Sequence, residues 1–197
     1  MREVDLRSDT VSLPSPEMRK AMYEAELGDD VYSEDPTLNK LEAMAADVMG
    51  KEAAVLVASG TMGNLISILA HAQRGDEIIV GDKSHIFRNE AGGASALGGV
   101  AYHTVQNDEH GMIDPDQIEE AIKPPNVHFT RTAMIAIENT HNMCGGSPLD
   151  SDETESIAAV AKRHDIPFHI DGARIFLSLI HISAPTRPRL ISYAVFC

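Results

Sequence analysis

AMIAIENTHNMCGGSPLDSDETESIAAVAKRHDIPFHID, residues 133–171, reads as one strand–helix–strand unit. AMIAIE at 133–138 and IPFHI at 166–170 are short apolar runs, the form taken by strands buried on both faces. Between them Asp150 and Glu153 have capping-box spacing and predict a helix over 151–164. Strands joined through a crossover helix run parallel.

The same alternation extends toward the N-terminus. Glu77–Gly81 and Val100–Val105 read as further strands. Asp114-Pro115 opens a helix to about Ile122, a second covers about Thr61 to Gln73, and a third lies near Asn89–Leu97. AAVLVAS at 53–59 is a continuous apolar run and predicts one more buried strand. Before it come two helices with matching starts. Ser15 and Asp35 are N-caps, each followed by proline, over 16–25 and 36–49, and Gly50 stops the second. Leu38, Leu41, Ala45 and Val48 share one face of the second helix. The expected fold class is α/β, a mostly parallel sheet with helices on both faces. Ligands of such sheets gather beyond the carboxyl ends of the strands.

Composition excludes several functions. The 197 residues carry 16 basic and 30 acidic side chains, a net charge of −14. Nucleic acid and anionic membranes reward clustered Lys and Arg, so neither is an expected partner. Cys144 and Cys197 form no CxxC pair and imply neither a disulfide framework nor a metal site. MREVDLRSDTV lacks the apolar core of a signal peptide, and no apolar run approaches the ~20 residues of a spanning helix. A cytoplasmic setting is expected.

Beyond Phe176 the pattern breaks. LSLIHISAPTRPRLISYAVFC at 177–197 has neither helical nor alternating period and no acidic residue. LSLIHIS, PTR and ISYAVFC resemble translated sequencing-adapter DNA. The expectation is that residues 177–197 are a non-native tail and that 1–176 hold an N-terminal arm and part of one large domain.

Several residues stand where chemistry is expected. Gly60-Thr61 follow the apolar run and open a helix, whose free N–H groups suit a phosphate, although many such turns bind nothing. Asp171, in HIDGAR, is a carboxylate at the end of a buried strand, where it needs a partner. A protonated pyridine nitrogen, as in pyridoxal-phosphate (PLP) sites, would be one; a cap on the next turn has the same pattern. Arg174 could pair with Asp171 or reach a ligand oxygen. His85 follows strand 77–81 on the same sheet edge, and an imidazole there can stack on a ring or move protons. His128 and His141 have similar standing, each equally readable as a structural histidine.

Seven motifs together carry a resemblance. DLRSDTV at 5–11, GDDVYSEDPT at 28–37, SGTMGNL at 59–65, SHIFRNEAGG at 84–93, HFTRT at 128–132, ENTHN at 138–142 and HIDGARIF at 169–176 occur in the order seen in the low-specificity threonine aldolases. The chain resembles that family from Val4 to Phe176. These are fold-type I, aspartate-aminotransferase-like PLP enzymes that split β-hydroxy-amino acids into glycine and an aldehyde. The resemblance implies that Gly60 and Thr61 hold the cofactor phosphate, His85 stacks on the ring and Asp171 pairs with its nitrogen. It implies that Arg174 reaches the ring hydroxyl and the substrate carboxylate, which Ser8 also helps to bind. His128 would lie near the substrate hydroxyl, and Tyr32 near the site of its own or a neighbouring subunit. The base could be His128, His85 or a water.

One departure from the family is large. None of the six lysines (Lys20, Lys40, Lys51, Lys83, Lys123, Lys162) follows Asp171, where the family places its Schiff-base lysine. The resemblance therefore implies an aldolase for the intact protein, a homotetramer, and an inactive fragment for the literal chain. Other lyases of the scaffold, with β-elimination or serine hydroxymethyl transfer, are the alternatives.

Overall fold

The computed structural model describes residues 8–176 and the backbone of 193–195. Its centre is a parallel five-stranded sheet ordered β2-β1-β3-β4-β5. The strands are β1 (Glu77–Gly81), β2 (Ala101–Val105), β3 (Thr132–Glu138), β4 (Phe168–Asp171) and β5 (Tyr193–Val195). The helices are α1 (Pro16–Tyr23), α2 (Pro36–Met49), α3 (Gly60–His71), α4 (His85–Arg88), α5 (Pro115–Ala121) and α6 (Ser151–Arg163). None of the helices among the described residues is long and apolar enough to cross a membrane.

Strand alternation sorts the core into two halves. Ile79, Ile135, Ile137, Phe168 and Ile170 face one way and pack with Ile118 of α5 and Ile157 and Val160 of α6. Ile78, Val80, Met134 and Ala136 face the other way and pack with Ile68 of α3, Ile86 of α4, Ala94 and Val100. From β1 the chain steps out to β2, then returns past β1 to β3 and on to β4. The step outward uses the α4 face, and the steps back use the α5–α6 face, as crossovers of a single hand require. The direction reverses between β1 and β3, and crevices form at such a switch point beyond the carboxyl ends.

Two expectations fail locally. The run 53–59 forms no strand, and Val55 and Leu56 are 71% and 60% exposed. No strand among the described residues pairs with it, and Ala54 and Val57 are only half-buried. The helix expected near 89–97 is replaced by the single turn of α4 and a π-turn at Ala94–Gly98. Left-handed Ala91 (φ 53°) and Gly92 (φ 65°) break the path between them. In α2 the buried residues are Ala46 and Met49, while Leu41 and Val48 stay exposed. Of the segment 177–197, residues 193–195 pair with β4, and the rest lies outside the described residues.

Candidate active site

Helix α3 begins where Ser59 caps it, its Oγ accepting from the Met62 N–H at 3.1 Å. Gly60 and Thr61 are the first two residues, so their N–H groups precede any intrahelical acceptor and lie at the positive end of the helix dipole. One turn further in, Asn64 shares their face of the helix. It is 1% exposed.

Asn64 joins α3 to the carboxyl end of β4. Its Nδ2 donates to Asp171 Oδ2 at 2.9 Å and to Glu90 Oε1 at 2.7 Å. Its Oδ1 lies 2.9 Å from His169 Nε2. Phe168 and Ile170 point to the α5–α6 side, so alternation turns His169 and Asp171 toward α3.

His85 arrives from β1, two strands from β4 with β3 between them. β1 ends at Gly81, and a Cβ there would stand 2.2 Å from Asn107 Oδ1. Only glycine lets Asn107 approach closely enough to accept from Lys83 N at 3.0 Å and shape the turn into α4. Glu138, the last residue of β3, then grips two backbones. Oε2 accepts from His85 N and Oε1 from Asn142 N, each at 2.8 Å. The His85 Nδ1 lies 2.9 Å from Glu90 Oε1. Its pairing with a carboxylate assigns the proton to Nδ1 and leaves Nε2 as the acceptor of the neutral ring. One ligand-type atom from each of His85, Glu90 and Asp171 falls within 4.8 Å of the others.

The electrostatics are unbalanced. Glu90, Glu138 and Asp171 are all buried. Burial raises the Asp171 carboxyl above its ordinary range; Glu138 and Glu90 push the same way, while the Asn64 bond and His85 oppose them. A cationic ligand group at Asp171 would relieve this. Burial also lowers the His169 imidazole to about 4, so it is neutral around pH 7. Neutral His169 donates through Nε2–H to Asn64 Oδ1.

The structure therefore brings His85 and Asp171 together at one sheet edge, tied through Asn64 to the helix that Gly60 and Thr61 open. Arg174 is half-buried in the turn after β4, three residues past Asp171. The other expected residues lie apart. Ser8 is exposed and bonds Thr10 Oγ1 at 2.8 Å within its own turn. Tyr32 is 74% exposed on the segment before α2. His128 is exposed in the loop entering β3, where its N–H donates to Asn126 Oδ1 at 2.9 Å. That is the amino end of a seven-residue strand whose other end is Glu138, roughly 20 Å away at the usual rise per residue. His141 is fully buried with neither ring nitrogen hydrogen-bonded. Sequence reasoning gave no role to Asn64, Glu90 or Glu138. A usable signal existed for Asn64, an amide inside an otherwise apolar helix one turn from Gly60.

Relatives share this framework. The Beta-eliminating lyase family model matches residues 5–194. Low-specificity L-threonine aldolase 1 of Arabidopsis thaliana is 50% identical over 188 residues, covering 94% of this chain and 52% of that protein. The low specificity L-threonine aldolase of Escherichia coli K12 is 41% identical over 177 residues, covering 90% and 52%. The chain thus spans about half the length of the curated relatives it matches. A threonine aldolase structure from Leishmania major superposes with a TM-score of 0.73 at 23% identity, over 89% of this chain and 51% of that one; it shares the fold. With residues 5–194 inside the family model, this chain belongs to the Beta-eliminating lyase family.

Proposed function

We propose that the protein to which this chain belongs is a PLP-dependent lyase that cleaves a β-hydroxy-amino acid of the threonine type into glycine and an aldehyde. The observation that carries the reading is the buried Asp171 carboxylate, crowded by Glu90 and Glu138 and lying beside His85 at the switch-point edge. Such a carboxylate fits a protonated pyridine nitrogen. The first turn of α3, bound to the same carboxylate through Asn64, fits the cofactor phosphate.

In this reading Gly60 and Thr61 bind the phosphate and Asp171 keeps the ring nitrogen protonated. The bound cofactor supplies an electron sink for the electrons of the broken Cα–Cβ bond. Glu90 fixes the His85 tautomer, and His85 lies against the ring with Nε2 turned outward to hold or move a proton. Arg174 reaches for the substrate carboxylate. Ser8, Tyr32 and His128 join such a site only across a subunit contact, which accords with a homo-oligomer.

A second reading concerns the chain as it stands: it binds the cofactor reversibly and does not turn over. Its lysines favour this. Lys83, two residues from His85, bonds the Asn107 and Asp108 carbonyls at 3.2 and 3.1 Å. Lys123 pairs with Glu77 and Thr130 at the opposite end of the sheet.

Two preparations test both readings: the 197-residue chain, and the product of the same gene read through codon 176 from its source DNA. The short chain should bind PLP without borohydride trapping, and Asp171→Asn should weaken that binding about 10- to 100-fold. The longer product should release glycine from allo-threonine. Pyruvate from serine with no glycine from allo-threonine would assign a β-eliminating reaction instead. Glycine release by the short chain would refute the non-catalytic reading.

A further inference from the structure

Asn64 joins the two sides of the cluster through hydrogen bonds. On one side is Asp171 at the end of β4; on the other is the Glu90–His85 pair. Both hydrogens of a primary amide are needed for this, one for each carboxylate. The amide can point only one way. Reversed, it would set Oδ1 against two carboxylates and take one buried donor from each, leaving Glu90 with His85 Nδ1 and Asp171 with the Ala173 N–H at 3.4 Å. His169 secures the orientation from behind, because its Nε2–H needs an acceptor and Oδ1 supplies it. Asn64 is also fixed in its helix at a position that nothing else in α3 shares: a buried polar side chain between Gly63 and Ile68.

We infer that Asn64 is a positioning residue: held by His169, its amide aims Asp171 at the ring nitrogen and holds Glu90 in place to orient His85. This deepens the proposed function and rests on that reading wherever the ring nitrogen is concerned. The Asn64–Asp171 link itself does not depend on it. The amide donates only to an ionised carboxylate oxygen or to the carbonyl oxygen of the acid, and the ionised form binds it more strongly. Removing the donor leaves burial, Glu138 and Glu90 opposing ionisation, with His85 and the Ala173 N–H as the remaining groups that favour it. The consequence reaches the cofactor as a pH effect. A protonated Asp171 cannot form an ion pair with a protonated ring nitrogen and binds it more weakly, so the acid edge of cofactor loading follows the Asp171 titration.

The test uses the 197-residue chain with two readouts. The first is the Asp171 carboxyl titration in the ligand-free protein, followed by carbon NMR on aspartate-labelled chain, with Asp171→Asn to assign the resonance. The second is loading with PLP itself, followed by absorbance from pH 5 to 8. Asn64→Leu keeps the volume and removes the amide. It should move both midpoints upward by about one to two pH units, the worth of a hydrogen bond to a charged group. His169→Phe, which releases the amide, should reproduce part of that shift. His169→Gln, which restores an N–H donor, should leave the midpoints near those of the unaltered chain. If Asn64→Leu does not fold, the contrast between His169→Phe and His169→Gln decides. Unshifted midpoints in the folded Asn64→Leu chain, or in His169→Phe when Asn64→Leu is lost, overturn the inference. An Asp171 shift in a chain that never binds PLP preserves the Asn64 role and refutes the cofactor reading alone.

Discussion

At the scale of single residues, burial decides the ionisation of the site's supporting groups. His169 is fully buried, with Nε2 on Asn64 and Nδ1 without a partner. Desolvation holds its folded pKa at about 4, below the ordinary 6.5 of imidazole. Between those values the unfolded chain takes up a proton that the folded chain refuses. The stabilisation is thus complete above pH 6.5 and shrinks as pH falls toward 4, by about 3 kcal/mol for this one group. His141, likewise lowered by burial, acts in the same direction. Asp171, raised by burial, acts in the opposite one, gaining stability as it protonates. Urea denaturation from pH 7 to 4.5 should show a falling midpoint, with a shallower fall in His169→Gln. Equal slopes in the two proteins would show that His169 is not the group responsible. From sequence alone, IPFHI at 166–170 was readable as a strand, and Asp171 just past it as a place for chemistry. Which neighbour His169 would meet was not readable, because that neighbour, Asn64, lies 105 residues away.

At the scale of elements, helix ends were the most legible features, because caps are local chemistry. Ser15, Asp35 and Asp150 each accept from the backbone N–H three residues on, and Gly50 closes α2 in the left-handed region. The α6 capping box is reciprocal, with Asp150 N to Glu153 Oε2 at 2.8 Å and Glu153 N to Asp150 Oδ1 at 2.9 Å. Asp150→Ala should therefore cost about 1 kcal/mol of stability, and Asp150→Asn much less. A thermal melt showing the two variants equal would mean that the cap contributes little. The segment 85–98 was less legible. A helix was expected near 89–97, but left-handed turns at Ala91 and Gly92 interrupt the path after α4. Those turns point Glu90 inward to His85 and Asn64, so the failed helix expectation and the overlooked site residue have one cause.

At the scale of the whole molecule, the sheet and its two core layers carry the stability, and the apolar run 53–59 stands outside them. Ile79 is fully buried in β1, while Val55 and Leu56 are mostly exposed. Ile79→Ala should destabilise the chain by about 2–5 kcal/mol, and Val55→Lys or Leu56→Lys by no more than about 0.5 kcal/mol. Chemical denaturation of the three variants checks this, and a large loss in Val55→Lys would show the segment to be packed in solution. What the sequence determined by itself was the alternation of parallel strands and helices, the sheet edge where chemistry gathers, and His85, Asp171 and the start of α3 as its candidates. Those follow from periodicity, capping and strand ends, all of which act over a few residues. Only the tertiary structure decided that 53–59 is not a strand, that His128 lies at the far end of β3, and that Asn64 binds Asp171 and Glu90. An apolar run specifies burial but not the partner that buries it. A buried polar group specifies a need for hydrogen bonds but not which distant side chain meets it, and only the packed sheet supplies either answer.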